Sequence, residues 1–156
     1  MAKATTPVWD LQLEFRADAQ LLQSVRKMVY AYVKGLALPE SRCQDIVLAV
    51  DEACANSIRH SYVGYSGGVI VLRLGRRPTT LEVTLEDFGR IIPPEKVRPK
   101  AKSPVSRDTV QPGGLGVQLI HTVFDEVVYS PGKFGGNHIA MRLNLPPQEE
   151  SIPHAP

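Results

Sequence analysis

Residues 45–62 read DIVLAVDEACANSIRHSY, and the two faces of this stretch decide the architecture. Wound as a helix at about 100° per residue, Ile46, Val47, Val50, Ala53, Cys54 and Ile58 gather on one broad apolar face that must pack on a sheet. Glu52, Asn56, Arg59 and His60 collect on the opposite side together with Asp45. Glu52 and Asn56 are four residues apart, so their side chains are neighbours. A carboxylate in that place can orient or deprotonate an attacking hydroxyl. The amide oxygen beside it is a hard ligand suited to magnesium, which keeps several waters and takes few protein ligands. Taken alone, the stretch reads as readily as an amphipathic helix with a solvated polar side.

The surroundings supply the partner surface. Pro39 and Ser41 open this helix, and Gly64, Gly67 and Gly68 break it after Tyr62. Upstream, residues 8–15 alternate at Leu11, Leu13 and Phe15 as a half-buried strand does, and Asp18 can cap a helix over 18–35 that Gly35 stops. Downstream, residues 69–75 and 80–87 form two strands around a turn at 76–79, with Leu81, Val83 and Leu85 alternating against Glu82, Thr84 and Glu86. A helix is expected from Val117 to Phe124, then strands over 126–130 and 137–145, with Gly132, Gly135 and Gly136 in their turn. The order β-α-α-β-β-loop-α-β-β predicts an α/β two-layer sandwich, one sheet covered by helices on one face. The domain is expected over 8–146, with flexible ends at 1–7 and 147–156.

Two further segments carry chemistry. Asp87-Phe88-Gly89 ends an alternating strand; its carboxylate can accept a hydrogen bond from an exocyclic amine such as that of adenine, and the glycine lets a ligand approach the backbone. A surface turn would look the same. Gly113-Gly114-Leu115-Gly116 precedes a helix, where free backbone N–H groups and the helix dipole favour phosphate. It is no P-loop, because no Lys-Ser or Lys-Thr follows, and a flexible hinge is the other reading. Between them, residues 90–112 hold Pro93, Pro94, Pro99, Pro104 and Pro112 and show no clear period.

Composition sets bounds. The chain has 156 residues, enough for one domain with a real core, with 43% hydrophobic and 22% charged residues. A net charge of +2 and the lack of a basic run with interleaved aromatics argue against direct nucleic-acid binding. No apolar stretch is long enough to span a bilayer and the N-terminus lacks a signal-peptide core, so a cytoplasmic protein without membrane contact is expected. Cys43 and Cys54 lie eleven residues apart on one helix, beyond disulfide reach, and read as thiols.

In combination, the three segments resemble the boxes of the Bergerat-type ATPase superfamily of DNA gyrase, MutL and histidine kinases, and most of all its short anti-sigma-factor serine kinases. DIVLAVDEACANSIRHSY looks like the first box, which implies Glu52 as base and Asn56 as ligand of Mg2+ in an ATP complex. VTLEDFG looks like the second, with Asp87 reading adenine and Gly89 beside it. GGLGVQLIHTVFDEV looks like the third, which implies phosphate contacts along Gly113, Gly114, Leu115, Gly116 and Val117. The resemblance covers residues 9–145 and implies a mixed, mostly antiparallel sheet, with 90–112 as the ATP lid. It also implies a serine/threonine protein kinase, usually a homodimer, that acts as an anti-sigma factor: it sequesters a sigma factor and phosphorylates a STAS-type anti-sigma-factor antagonist. Three positions depart from the pattern. Ile91 stands where a glycine is usual, Pro112 where some members carry an arginine, and Asn137 where a threonine lies near adenine. Asn137 keeps hydrogen-bonding capacity toward the nucleotide. These departures motivate an alternative, an ATP-dependent regulatory binding module with weak catalysis.

Overall fold

The computed structural model describes residues 8–98 and 115–147. Strands β1 (Leu11–Arg16), β2 (Val69–Arg76), β3 (Thr80–Asp87), β4 (Glu126–Pro131) and β5 (Asn137–Asn144) form one sheet in the order β1-β2-β3-β5-β4. Every pairing among them is antiparallel, so the mixed sheet implied by the resemblance is corrected to an antiparallel one. Hairpins join β2 to β3 and β4 to β5. Two long connections, from β1 to β2 and from β3 to β4, complete the path; the second places β4 at the edge and lets β5 return beside β3.

Alternation sets the two faces, since successive side chains of a strand point to opposite sides. Leu11, Leu13 and Phe15 of β1 turn toward the core, as do Ile70, Leu72 and Leu74 of β2, Leu81, Val83 and Leu85 of β3, and Ile139, Met141 and Leu143 of β5. The other face carries ion pairs: Arg73–Glu86 at 3.1 Å, Arg77–Glu82 at 3.2 Å and Arg142–Glu126 at 3.2 Å. Trp9 lies against Gly75 at the margin of the sheet, with the Arg77 guanidinium 5.4 Å from its ring centre, so it is not a core residue.

Helices α1 (Leu22–Lys34), α2 (Glu40–Asn56) and α4 (Leu115–Val123) cover the apolar face, with α1 and α4 each packed on α2. Asp18 accepts a hydrogen bond from Gln20 N at 2.9 Å, but the cap starts a short 3₁₀ turn and α1 itself begins at Leu22. Gly35 does follow the last helical residue. The left-handed residue of that connection is Ala37 at φ 57°, a strained choice for an alanine. Cys43 and Cys54 are both free and buried in α2, and burial raises the Cys54 thiol well above its ordinary pKa.

Two expectations shift. Regular α-helix stops at Asn56, and Ser57–Ser61 form a π-type turn before the break at Gly64. Within the stretch expected as a loop over 90–112, Pro94–Val97 makes one helical turn, α3; residues 99–112 lie outside the described residues.

Candidate functional site

The site is built where the end of α2 meets the end of β3 and the start of α4. Glu52 and Asn56 do neighbour one another, and Arg59 joins them. Its Nη2 donates to Asn56 Oδ1 at 2.6 Å and approaches Glu52 Oε2 at 3.3 Å. Asn56 is only 9% exposed, so the expectation that it stands on a solvated face is corrected: α4 packs over this side of α2. Glu52 is half-buried. Gly116, in the first turn of α4, rests on its carboxylate, and a β-carbon there would overlap Glu52 Oε2. Val117 is buried next to it, and Leu115 opens the helix. Gly113, Gly114 and Pro112 lie outside the described residues.

Asp87 lies on the core side of β3 and is fully buried. Such a carboxylate needs donors, and it has four. Ser57 Oγ donates to Oδ2 in a short bond, and Ser61 Oγ donates to the same oxygen at 2.8 Å. Gly89 N donates to Oδ1 at 3.1 Å and Asn137 Nδ2 to Oδ1 at 3.0 Å. Serines four apart on a π-type turn aim at one oxygen, and such turns often re-aim side chains at functional sites. Register supplies Asn137: Asp87 is paired directly with Asn137 across β3 and β5, which brings their side chains together on the same face.

Glycines let the walls close. A β-carbon on Gly89 would strike the Ser61 carbonyl, which accepts Arg90 N at 2.8 Å. Gly136 has φ +70° and would meet the Asp87 carbonyl. Tyr62 braces the corner from below: its hydroxyl donates to Val69 O at 2.6 Å and accepts from Phe88 N at 2.8 Å. Ile91 is 63% exposed, so its side chain points outward and does not crowd Asp87. Ser57, Ser61, Arg59 and Tyr62 were given no role from sequence. The signal for the first two was two small polar residues at helical spacing on a face otherwise apolar.

His60 has its pKa lowered, chiefly by burial and then by the positive charges of Lys96 and Arg59, so it favours the neutral form. Among the described residues no cluster of three or more His, Cys, Asp or Glu could cage a metal; the Asn56 amide oxygen, which the resemblance implies as a ligand, accepts from Arg59 with Glu52 beside it. A surface cavity of about 430 Å³, lined by Tyr62, Tyr65, Phe88 and Arg90 among others, meets this corner only through Ser61 and Gly89; Glu52, Asn56 and Asp87 do not line it.

A family model described as the histidine kinase-like ATPase domain matches residues 15–143. A serine-protein kinase RsbW from Bacillus licheniformis is 33% identical over 121 residues, 75% of this chain and 75% of that one. Another RsbW, from Bacillus velezensis, is 27% identical over 127 residues, 79% of each chain. An anti-sigma F factor from Clostridium novyi is 27% identical over 137 residues, 86% of this chain and 94% of its own. Among solved structures, the mycobacterial sensor histidine kinase MprB superposes with a TM-score of 0.50 at 17% identity, over 88% of this chain and 100% of that one, a likeness of fold. The catalytic domain of histidine kinase ThkA does so at 0.50 and 16%, over 88% and 99%.

Proposed function

Because this chain belongs to the histidine kinase-like ATPase domain family, we propose that it is an ATP-dependent serine/threonine protein kinase acting as an anti-sigma factor. Its substrate is a serine of a STAS-type anti-sigma-factor antagonist, and its other partner is a sigma factor. The relatives named serine-protein kinase RsbW and anti-sigma F factor support that reading. The structural observation that carries it is one continuous corner: Gly116 at the start of α4 rests on Glu52, Arg59 joins Glu52 to Asn56, and the next residue, Ser57, already bonds Asp87.

In this reading the base stacks at the Asp87 end, with its amine on the carboxylate and Gly89 giving it room. The phosphates lie toward α4, along Gly113, Gly114, Leu115, Gly116 and Val117, where backbone N–H groups and the helix dipole favour anions. The antagonist's serine oxygen attacks the γ-phosphorus, the bond to the β–γ bridging oxygen breaks, and ADP leaves. Glu52 takes the serine proton or holds the hydroxyl in line. Asn56 would offer its amide oxygen to Mg2+ in place of Arg59, and the ion would supply neutralisation of the phosphate charge there. Arg59 is then free to meet the terminal phosphate.

We infer a functional unit over 8–146, homodimeric and cytoplasmic; no helix among the described residues is long and apolar enough to cross a membrane. Incubation of the full chain with radiolabelled ATP and its encoded antagonist should label that antagonist, and Glu52→Gln should abolish transfer while nucleotide still binds. Absence of transfer to every encoded antagonist would remove the kinase reading. A second reading, a nucleotide-dependent binding module, is favoured by Arg59 bridging both Glu52 and Asn56. It predicts that Glu52→Gln leaves partner control untouched.

A further inference from the structure

Asp87 enters the proposed nucleotide site with every acceptor position filled. A carboxylate offers about four lone-pair sites, and Ser57, Ser61, Gly89 N and Asn137 use four. Three of these donors are hydroxyls or backbone. The fourth, Asn137 Nδ2, is an NH2 group with two hydrogens, the same donor type as the exocyclic amine of adenine. It also contacts Ser61 Oγ at 3.0 Å and Arg90 O at 2.8 Å. Its own Oδ1 accepts Ile92 N at 2.8 Å. One buried carboxamide thus joins the carboxylate on β3 to the backbone of residues 90–92.

We propose that Asn137 is a specificity-determining plug: its amide holds the Asp87 acceptor that a base amine needs, so amine binding and release of the 90–92 backbone are one event. The inference rests on the ATP reading and deepens it. It reverses the role that hydrogen-bonding capacity alone gave Asn137, from helper at the base to competitor for its anchor. Displacing one NH2 by another exchanges like for like. The amine therefore adds little affinity in this protein, and it adds much once residue 137 no longer donates.

The test uses the full chain as wild type, Asn137→Val and Asn137→Ala, neither of which can donate from residue 137. Each is titrated calorimetrically with ATP and with purine riboside triphosphate, which lacks the 6-amine. Wild type should bind the two within about threefold, and both variants should prefer ATP by about tenfold, the worth of one hydrogen bond to a charged acceptor. The same preference in all three proteins overturns the plug while leaving ATP binding intact. No binding of either nucleotide to any of them overturns the ATP reading, and the plug with it. Without nucleotide, amide exchange at Ile92 should be at least about tenfold faster in both variants, with Leu85 in β3 unchanged. Unchanged Ile92 protection overturns the link to residues 90–92. If Asn137→Ala does not fold, Asn137→Val decides both arms.

Discussion

Gly116 rests on the carboxylate of Glu52 with no room for a β-carbon between them. Two elements far apart in sequence therefore meet at the Glu52 carboxylate, and a hydrogen at position 116 is the condition for it. Gly116→Ala should push α4 or Glu52 aside. Misplacement of about 1 Å costs on the order of 100-fold in a positioned reaction, whereas overpacking costs about 1–3 kcal/mol of stability. Phosphoryl transfer to the antagonist should fall by about that factor. Transfer at the wild-type rate in a folded variant would detach Gly116 from the catalytic geometry.

Asp87→Asn replaces an acceptor-only group with one that also donates. The Ser57 and Ser61 hydroxyls can rotate to accept from the new amide, but Gly89 N cannot. Hydrogen bonds to a charged acceptor are also about twice as strong as neutral ones. The expected loss is about 1–3 kcal/mol in denaturant unfolding and, in the Asn137→Val background where the base amine counts, at least about tenfold in ATP affinity by calorimetry. Unchanged affinity would remove Asp87 from the base site.

Tyr62→Phe deletes one oxygen that serves two backbone groups, Val69 O and Phe88 N. Both lie at the corner that carries Asp87. Leaving a buried backbone group without its partner costs about 1–3 kcal/mol, to be read from the urea midpoint. The amide of Phe88 should exchange faster than that of Leu85.

His60 gives a pH signature. Its folded pKa lies below the ordinary 6.5, because burial and then Lys96 and Arg59 oppose its charge. The unfolded chain therefore binds the proton first as pH falls. Its effect on stability is absent above the ordinary value. Stability is lost as pH drops through 6.5 toward the lowered pKa, where the loss levels off. His60→Gln should flatten that part of the profile. Urea midpoints of both proteins between about pH 8 and pH 5 check it, and parallel profiles would discount His60.

Local period made much of this protein legible. Helical spacing brings Glu52 and Asn56 together, and the alternation of Leu81, Val83 and Leu85 sets the core face of β3, because both depend on neighbours a few residues away. The order of the three segments was enough to indicate the family. Other features have no local cause. Asn56 is buried although it lies on the polar side of α2, and an amphipathic pattern cannot tell a solvated polar side from one covered by another element. Asn137 and Asp87 are separated by 50 residues, and only the β3–β5 register opposes them. Arg59 bridges two residues of its own helical face, yet a long flexible cation has many partners in reach, and helical period does not choose among them. Sequence alone thus determined the elements, the Glu52–Asn56 pair and the place of Asp87 at a strand end. Tertiary structure alone decided how Asp87 is satisfied, because a buried carboxylate takes its donors from whatever packing and register bring within reach.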